Sequence, residues 1–191
     1  MALPGRVAWD VPAMSRRDDE ALEVRFAHLF EEFAAPIYNY VLRMVSDADR
    51  AADITQDTFI KAYRKLDSVT EATSTRSWLY RIATNTAIDD MRRRRNVTPM
   101  SVDQPAFANR PDQGPGPEAQ VMATTLDERV QRALLSLRPN HRQCLLLSDL
   151  EDMAPRQIGE VMGLSYAAVR TLLCRARGEM RRALAVEGLV R

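Results

Sequence analysis

The side chains best suited to binding nucleic acid lie near the end of the chain, between Pro155 and Arg177. A short stretch with helical spacing is followed by the turn Gly163-Leu164-Ser165 and then by an arginine-rich helix. This order is typical of a helix-turn-helix, whose second helix enters the major groove of DNA. The face of that helix opposite its apolar stripe carries Ala167, Arg170, Thr171, Cys174, Arg175 and Arg177. Such groups can meet base edges and phosphates, although a helical hairpin with a solvated basic face would show the same pattern.

A second set of polar residues presents carboxylates. Asp53, Gln56 and Asp57 are spaced i, i+3, i+4, so they lie on one face of a helix. That face would complement a basic surface on a partner protein. A solvated helix face has the same composition, so the pattern by itself leaves both interpretations open.

A third set interleaves aromatic and cationic residues in Trp78-Leu79-Tyr80-Arg81, ahead of Asn85 and the run Arg92–Arg95. Unpaired bases stack on aromatic rings while arginines hold the backbone, so the pattern fits single-stranded DNA. It equally fits Trp78 and Tyr80 as core residues beside a solvated helix end.

Composition excludes several classes of protein. The 191 residues carry 27 basic and 26 acidic side chains, for a net charge of +1. No apolar run approaches the ~20 residues that span a bilayer. Two cysteines, Cys144 and Cys174, and two histidines leave no disulfide framework and no cysteine-based zinc site. We therefore expect a cytoplasmic protein that has no metal or cofactor and is not an enzyme.

The elements that would position these residues are helical. Between residues 26 and 45 apolar side chains recur every three or four positions, and Pro36 is expected to kink or split that helix. A second helix is predicted after an N-cap at Ser46 or Asp47 and should run to about residue 66. A third should span residues 75–95.

The C-terminal part repeats the helical pattern, with prolines opening two helices. Five of the ten prolines fall between residues 97 and 125, which predicts a flexible linker rich in proline and glycine. The fold class is therefore all-α, with two helical domains and a helix-turn-helix in the second. The predicted divisions are a disordered extension at 1–20, a first domain at 21–96, the linker at 97–125 and a second domain at 126–185.

Three stretches resemble the extracytoplasmic-function (ECF, group 4) sigma factors of bacterial RNA polymerase. They read ITQDTFIKAYRKL, TRSWLYRIATNTAIDDMRRRR and LRPNHRQCLLLSDLEDMAPRQIGEVMGLSYAAVRTLLCRARGEMRRAL. The resemblance covers about residues 25–96 and 125–184, which correspond to sigma regions 2 and 4.

The resemblance implies roles for individual residues. Binding to core polymerase would fall to Asp53, Gln56, Asp57 and Phe59. Recognition and opening of the −10 element would involve the loop at 67–75 and Trp78, Arg81, Asn85, Asp89, Arg92, Arg93 and Arg94. Reading of the −35 element would fall to Ser165, Tyr166, Ala167, Arg170, Thr171, Cys174, Arg175 and Arg177.

The resemblance also implies partners. These are core RNA polymerase (its largest-subunit coiled coil and its flap) and promoter DNA, double-stranded at −35 and single-stranded at −10. An anti-sigma factor is implied as well, without membrane insertion of the chain itself. The protein would be cytoplasmic and would join the nucleoid when bound to polymerase. Departures from the family pattern are Pro155, Gly159, Leu172 and Cys174.

Two other hypotheses compete with this one. A stand-alone helix-turn-helix regulator would bind duplex DNA as a dimer, but it would leave the Asp53–Phe59 face unused. A DNA-processing enzyme could use Asp89 and Asp90, but adjacent helical residues point about 100° apart and cannot readily share one metal.

Overall fold

The structure, a computed structural model, describes residues 16–68, 74–97 and 128–190. These residues form α-helices and no β-strand, which confirms the all-α prediction. The helices are α1 (Arg16–Val45), α2 (Ala48–Tyr63), α3 (Thr75–Val97), α4 (Glu128–Ser136), α5 (Pro139–Leu145), α6 (Pro155–Met162) and α7 (Tyr166–Val186). A 3₁₀ turn at Leu66–Ser68 follows α2, and a π-helical turn at Leu146–Leu150 extends α5. The predicted linker falls largely outside the described residues.

Helix α1 differs from its prediction in two ways. It begins at Arg16, so residues 16–20 are helical although we predicted them to be disordered. It also continues through Pro36 without a break. Ile37, Tyr40 and Val41, just after the proline, are fully buried. Their packing outweighs the one backbone hydrogen bond that proline removes.

A polar side chain caps the start of each of α2 and α3, and the cap of α2 is one of the two residues predicted for it. The Asp47 carboxylate accepts a hydrogen bond from the Arg50 N–H at 3.0 Å. Before α3, the Ser74 hydroxyl oxygen accepts one from the Ser77 N–H at 3.3 Å. These contacts satisfy backbone donors that have no partner inside the helix. Helix α2 ends a few residues earlier than predicted, and the 3₁₀ turn then buries Leu66.

In the C-terminal part, α6 and α7 form the predicted helix-turn-helix. Pro155 opens α6, and the turn residue Gly163 has φ 67°, a left-handed conformation that glycine adopts without strain. The Ser165 hydroxyl oxygen accepts a hydrogen bond from the Ala168 N–H at 3.3 Å and so caps α7.

The two groups of helices share one hydrophobic core, in which α3 packs against α6. We call α1–α3 the N-terminal region and α4–α7 the C-terminal region. Arg142 of α5 is buried and donates hydrogen bonds to carbonyl oxygens of both regions. Its acceptors are Leu134 at 2.9 Å, Leu135 at 2.6 Å and Leu137 at 3.4 Å in its own region, and Met44 at 2.5 Å across the boundary.

Candidate nucleic-acid and protein interfaces

The exposed face of α7 carries the residues that the sequence assigned to the major groove. On the opposite face Val169, Leu173 and Ala176 are buried and hold the helix against the core. The exposed set comprises Ser165, Tyr166, Ala167, Arg170, Thr171, Cys174, Arg175 and Arg177. Leu172, a departure from the family pattern, is half-buried against the core and is not part of this face.

Two arginines on this face have defined partners. The Arg170 guanidinium carbon lies 5.8 Å from the centre of the Tyr166 ring, within cation–π range. Arg177 turns toward the π-helical turn, where it donates to Asp149 at 2.8 Å and to the Ser148 hydroxyl at 3.2 Å. The hydrogen bond to Asp149 raises the pKa of Arg177 above its ordinary value.

The angle between α6 and α7 depends on a close backbone approach at Gly159. A Cβ atom built at this position would lie 2.6 Å from the Leu164 carbonyl oxygen. Only glycine permits this spacing, which accounts for its presence where the family pattern often has alanine. The contact sets how α7 is presented to a ligand.

The polar stripe of α3 is exposed as predicted, but the aromatic residues before it are not. Exposed positions are Arg81, Asn85, Asp89, Arg92, Arg93 and Arg94. Trp78 is only 8% exposed and Tyr80 is fully buried. The Trp78 ring packs in the core of this structure, so its assignment to DNA stacking stays a prediction.

Asp89 and Asp90 point in different directions. Asp89 is exposed, whereas Asp90 accepts hydrogen bonds from Arg50 at 2.5 and 3.1 Å. Across residues 16–68, 74–97 and 128–190, no group of three or more His, Cys, Asp or Glu side chains could hold a metal ion.

The acidic face of α2 adjoins an apolar groove that the sequence did not predict. Asp53, Gln56 and Asp57 are exposed, but Phe59 is 3% exposed and lies in the wall of this groove. Helix α1 covers the Phe59 ring, and the role in core-polymerase binding that the resemblance implies for this residue stays a prediction. Phe30 packs on this ring edge to face at a centroid distance of 4.9 Å.

The groove runs between α1 and α2 and has a volume of about 940 Å³. Its partly open apolar walls include Phe30 (47% exposed), Ile60 (43%) and Tyr63 (41%). Isolated exposed apolar residues are ordinary, but a contiguous lined groove is typical of an interaction site. The sequence signal was the position of Ile60 and Tyr63, which fall outside the buried stripe of α2.

No helix within the described ranges is long and apolar enough to cross a membrane. The described residues define a class of protein: an all-helical protein that combines a helix-turn-helix with a second helical region, which bears an exposed polar stripe and an apolar groove.

Comparison with known proteins identifies the family within that class. The model of sigma-70 region 2 matches residues 29–97, and the model of sigma-70 region 4 matches residues 127–180. The RNA polymerase sigma factor YlaC of Bacillus subtilis is 33% identical over 156 residues, covering 81% of this chain and 88% of that protein. The ECF sigma factor SigW of the same organism is 28% identical over 165 residues, covering 83% and 88%. The chain belongs to the ECF sigma factors, which direct RNA polymerase to specific promoters.

Solved structures show the same fold. The sigma factor RpoE of Bartonella quintana, in complex with the anti-sigma factor NepR, superposes with a TM-score of 0.66 at 23% identity, covering 85% of this chain and 98% of that one. CnrH in complex with the cytosolic domain of CnrY gives a TM-score of 0.62 at 21% identity, covering 86% and 90%.

Proposed function

We propose that the three surfaces described above divide the work of promoter recognition. The acidic face and groove of α2 bind core RNA polymerase, the polar stripe of α3 holds the opened −10 element, and the exposed face of α7 reads the −35 element. The observation that carries this proposal is that the polar residues of all three surfaces are exposed on helices whose opposite faces are buried. Each surface is thus free to meet a partner while the core holds its helix in place.

The polymerase contact is supported by the chemistry of the groove and its border. An apolar groove takes up the apolar face of a helix, and carboxylates beside it attract basic side chains on the same helix. Asp53 and Asp57 stand beside the groove, and Gln56 lines it. The coiled coil of the largest polymerase subunit would supply such a helix.

This assignment is tested by replacing Gln56 and Asp57 together with alanine. Both side chains are exposed, so the fold should persist while the affinity for core polymerase falls about tenfold or more. Asp89→Ala on α3 is the matched control, since it also removes an exposed carboxylate. Unchanged affinity of the double variant in a core-binding titration, with normal circular dichroism, would refute the assignment.

The DNA contacts follow from donor chemistry. On α3, Arg81 and Arg92 would hold the backbone of the opened strand, and Asn85 would hydrogen-bond an exposed base. On α7, Arg170 and Thr171 lie close to the helix N-terminus, the end that meets base edges in helix-turn-helix proteins. Arg175 would contact phosphate.

The same role predicts how the protein is controlled and where it acts. RpoE was solved with the anti-sigma factor NepR and CnrH with the cytosolic domain of CnrY, and we propose that an anti-sigma factor regulates this chain too. Sigma factors are generally DNA-recognition subunits, and we infer that this one has no enzymatic activity of its own. It would act in the cytoplasm, where polymerase and the nucleoid are found.

A further inference from the structure

A shallow apolar notch lies beside the exposed face of α7. It is found where the end of α6 and the turn after it meet the N-terminal half of α7 and the start of α5, and its volume is about 630 Å³. The side chains that give the notch its apolar character are Met162, Leu164, Ala167, Ala168, Thr171 and Leu172. Two of them, Ala167 and Thr171, also belong to the exposed face of α7, so the notch is continuous with that face.

The walls of the notch are apolar although it opens on a basic helix. Met162 and Leu172 are half-buried against the hydrophobic core and form its deeper part. Leu164, in the turn, is 39% exposed at its edge. Apolar surface that is gathered in a concavity and bordered by polar residues is typical of an interaction site.

The hydroxyl of Thr171 is occupied within its own helix. It donates a hydrogen bond to the Ala167 carbonyl oxygen at 3.1 Å. This contact restricts rotation about the Cα–Cβ bond, and it leaves the methyl group, not a hydroxyl donor, for a ligand in the notch. Thr171 therefore contributes an apolar group beside the exposed Ala167 and Ala168.

Arginines flank this apolar surface and indicate the kind of ligand that it would meet. Arg170 and Arg175 are exposed on either side of Thr171 around α7, and Arg175 lines the notch itself. Among the residues that the structure describes, none that lines the notch carries a carboxylate. Guanidinium groups bind phosphates, so a DNA strand held by these arginines would bring its base edges to the notch.

The 5-methyl group of thymine is the apolar group that unmodified DNA presents in its major groove. An A·T pair carries this methyl group beside the O4 acceptor, and a G·C pair has no equivalent. The side chains suited to contact it are small and aliphatic, as alanine and the methyl group of threonine are. Burial of one such group changes a binding constant about fourfold.

We propose that the notch binds the 5-methyl group of a thymine in the −35 element, and that Ala167, Ala168 and Thr171 thereby select an A·T pair at that position. This inference rests on the proposed assignment of α7 to the −35 element. It adds an apolar form of base recognition to the hydrogen bonding proposed for Arg170. Thymine is favoured over an apolar side chain of a partner protein because arginines flank the notch and the notch is continuous with the DNA-reading face.

The test uses holoenzyme assembled from the full chain and core RNA polymerase, with a pool of promoter fragments whose −35 window is randomised. The transcribed templates define the −35 element, which should contain a thymine at one fixed position on one strand. Each thymine of that element is then replaced singly by deoxyuridine, which pairs with adenine but lacks the methyl group. In competition binding, one replacement should weaken the affinity about fourfold and the others less than twofold.

Two substitutions at Thr171 separate its methyl group from its hydroxyl. Thr171→Val keeps a methyl group at this place and removes the hydroxyl, so the fourfold preference for thymine over deoxyuridine should persist. Thr171→Ser keeps the hydroxyl and removes the methyl group, so the preference should fall to about twofold or less. The opposite ranking of the two variants would show that the hydroxyl reads the base and would overturn the proposal.

A third substitution fills the notch. Ala168 is exposed, so Ala168→Leu should leave the fold intact while it excludes the methyl group, and thymine and deoxyuridine templates should then bind equally. Ala185→Leu, the same change at an exposed position near the C-terminal end of α7, is the matched control and should behave as the parent. Circular dichroism checks the fold of each variant. A thymine preference that survives Ala168→Leu would overturn the proposal.

The same experiment separates this inference from the proposed function. If the transcribed templates share no −35 element, the proposed function fails and the inference fails with it. If they share an element that contains no thymine, or if deoxyuridine binds as well as thymine at every position, the proposed function stands and the inference alone is wrong. If Ala168→Leu weakens core-polymerase binding and leaves the thymine preference unchanged, the notch binds a protein instead.

Discussion

Arg170 is the residue whose role in sequence discrimination can be tested most directly. It lies one turn into α7, is exposed, and has its guanidinium held near the Tyr166 ring. A stacked guanidinium loses less freedom when it binds, and arginine pairs with the O6 and N7 atoms of guanine in a bidentate manner.

We expect Arg170→Ala to lose about 1–3 kcal/mol of discrimination at one base pair of the −35 element. The measurement is competition binding of holoenzyme against promoters with each −35 base pair changed in turn. Arg156→Ala removes an exposed arginine from α6 and serves as the control. An equal loss on every sequence would instead make Arg170 a phosphate contact.

For single residues, the sequence predicts the helix face on which a residue lies better than it predicts whether the side chain is exposed to solvent. Helical periodicity correctly separated Arg170 and Thr171 from the buried Val169. It made no prediction for Trp78 and Phe59, whose rings are buried in this structure. Periodicity within one helix carries no information about what a second helix will cover.

The helix-turn-helix is the element whose geometry depends most on a single backbone contact. Gly159→Ala would force its new Cβ against the Leu164 carbonyl oxygen, so the turn must shift. We expect the free energy of unfolding to fall by about 1–3 kcal/mol, and −35 binding to weaken with it.

Gly178→Ala is the control for that substitution, because a Cβ there meets only the Arg182 side chain at 3.9 Å. It should be neutral or raise the stability by up to about 1 kcal/mol, since alanine favours the helix. The measurement is the free energy of unfolding of both variants, obtained by urea denaturation. Equal stability of the two would show that the approach at Gly159 does not constrain the turn.

Most element boundaries were predictable because they depend on local chemistry. The cap at Asp47, the prolines that open α5 and α6, and the turn at Gly163 all follow from residues next to the boundary. The groove between α1 and α2 was not predictable, since it exists only when two helices meet. The predicted break at Pro36 was wrong for a related reason, because tertiary packing holds α1 helical through a residue that disfavours helix locally.

For the whole molecule, the contact between the two regions should respond to pH through Glu151, whose carboxylate accepts a hydrogen bond from the Tyr80 hydroxyl. Burial raises the pKa of this carboxyl above its ordinary value of 4.5; the hydrogen bond from Tyr80 and the charge of Arg76 oppose the rise, and Asp152 adds to it. The folded state, in which Glu151 is buried, therefore favours the protonated form of this carboxyl. The stabilisation of the folded state by this group is complete below pH 4.5. It is lost as the pH rises through the raised pKa of Glu151.

We expect the free energy of unfolding, measured by urea denaturation at a series of pH values from 4.5 upward, to lose this contribution as the pH rises through the raised pKa of Glu151. Glu151→Gln, which cannot ionise but still accepts a hydrogen bond from Tyr80, should remove this dependence. A dependence that persists in Glu151→Gln would assign it to another group.

The contact between the two regions could not have been predicted from the sequence. Glu151 and Arg142 are charged residues, which ordinarily lie at the surface, and neither belongs to an apolar stripe. Their burial requires partners from both regions, Tyr80 and Met44 among them. The proline-rich stretch between the regions predicts two helical domains that move independently, not two regions in contact.

The central claim, that this chain directs polymerase to promoters defined by two elements, is tested most directly by one measurement. The purified full chain is titrated into core RNA polymerase, and run-off transcription is then measured on a pool of promoter fragments. We expect tight association and new transcripts whose templates share one element near −10 and another near −35. No association with core polymerase and no new transcripts, with binding to duplex DNA retained, would contradict the claim and point to a stand-alone regulator.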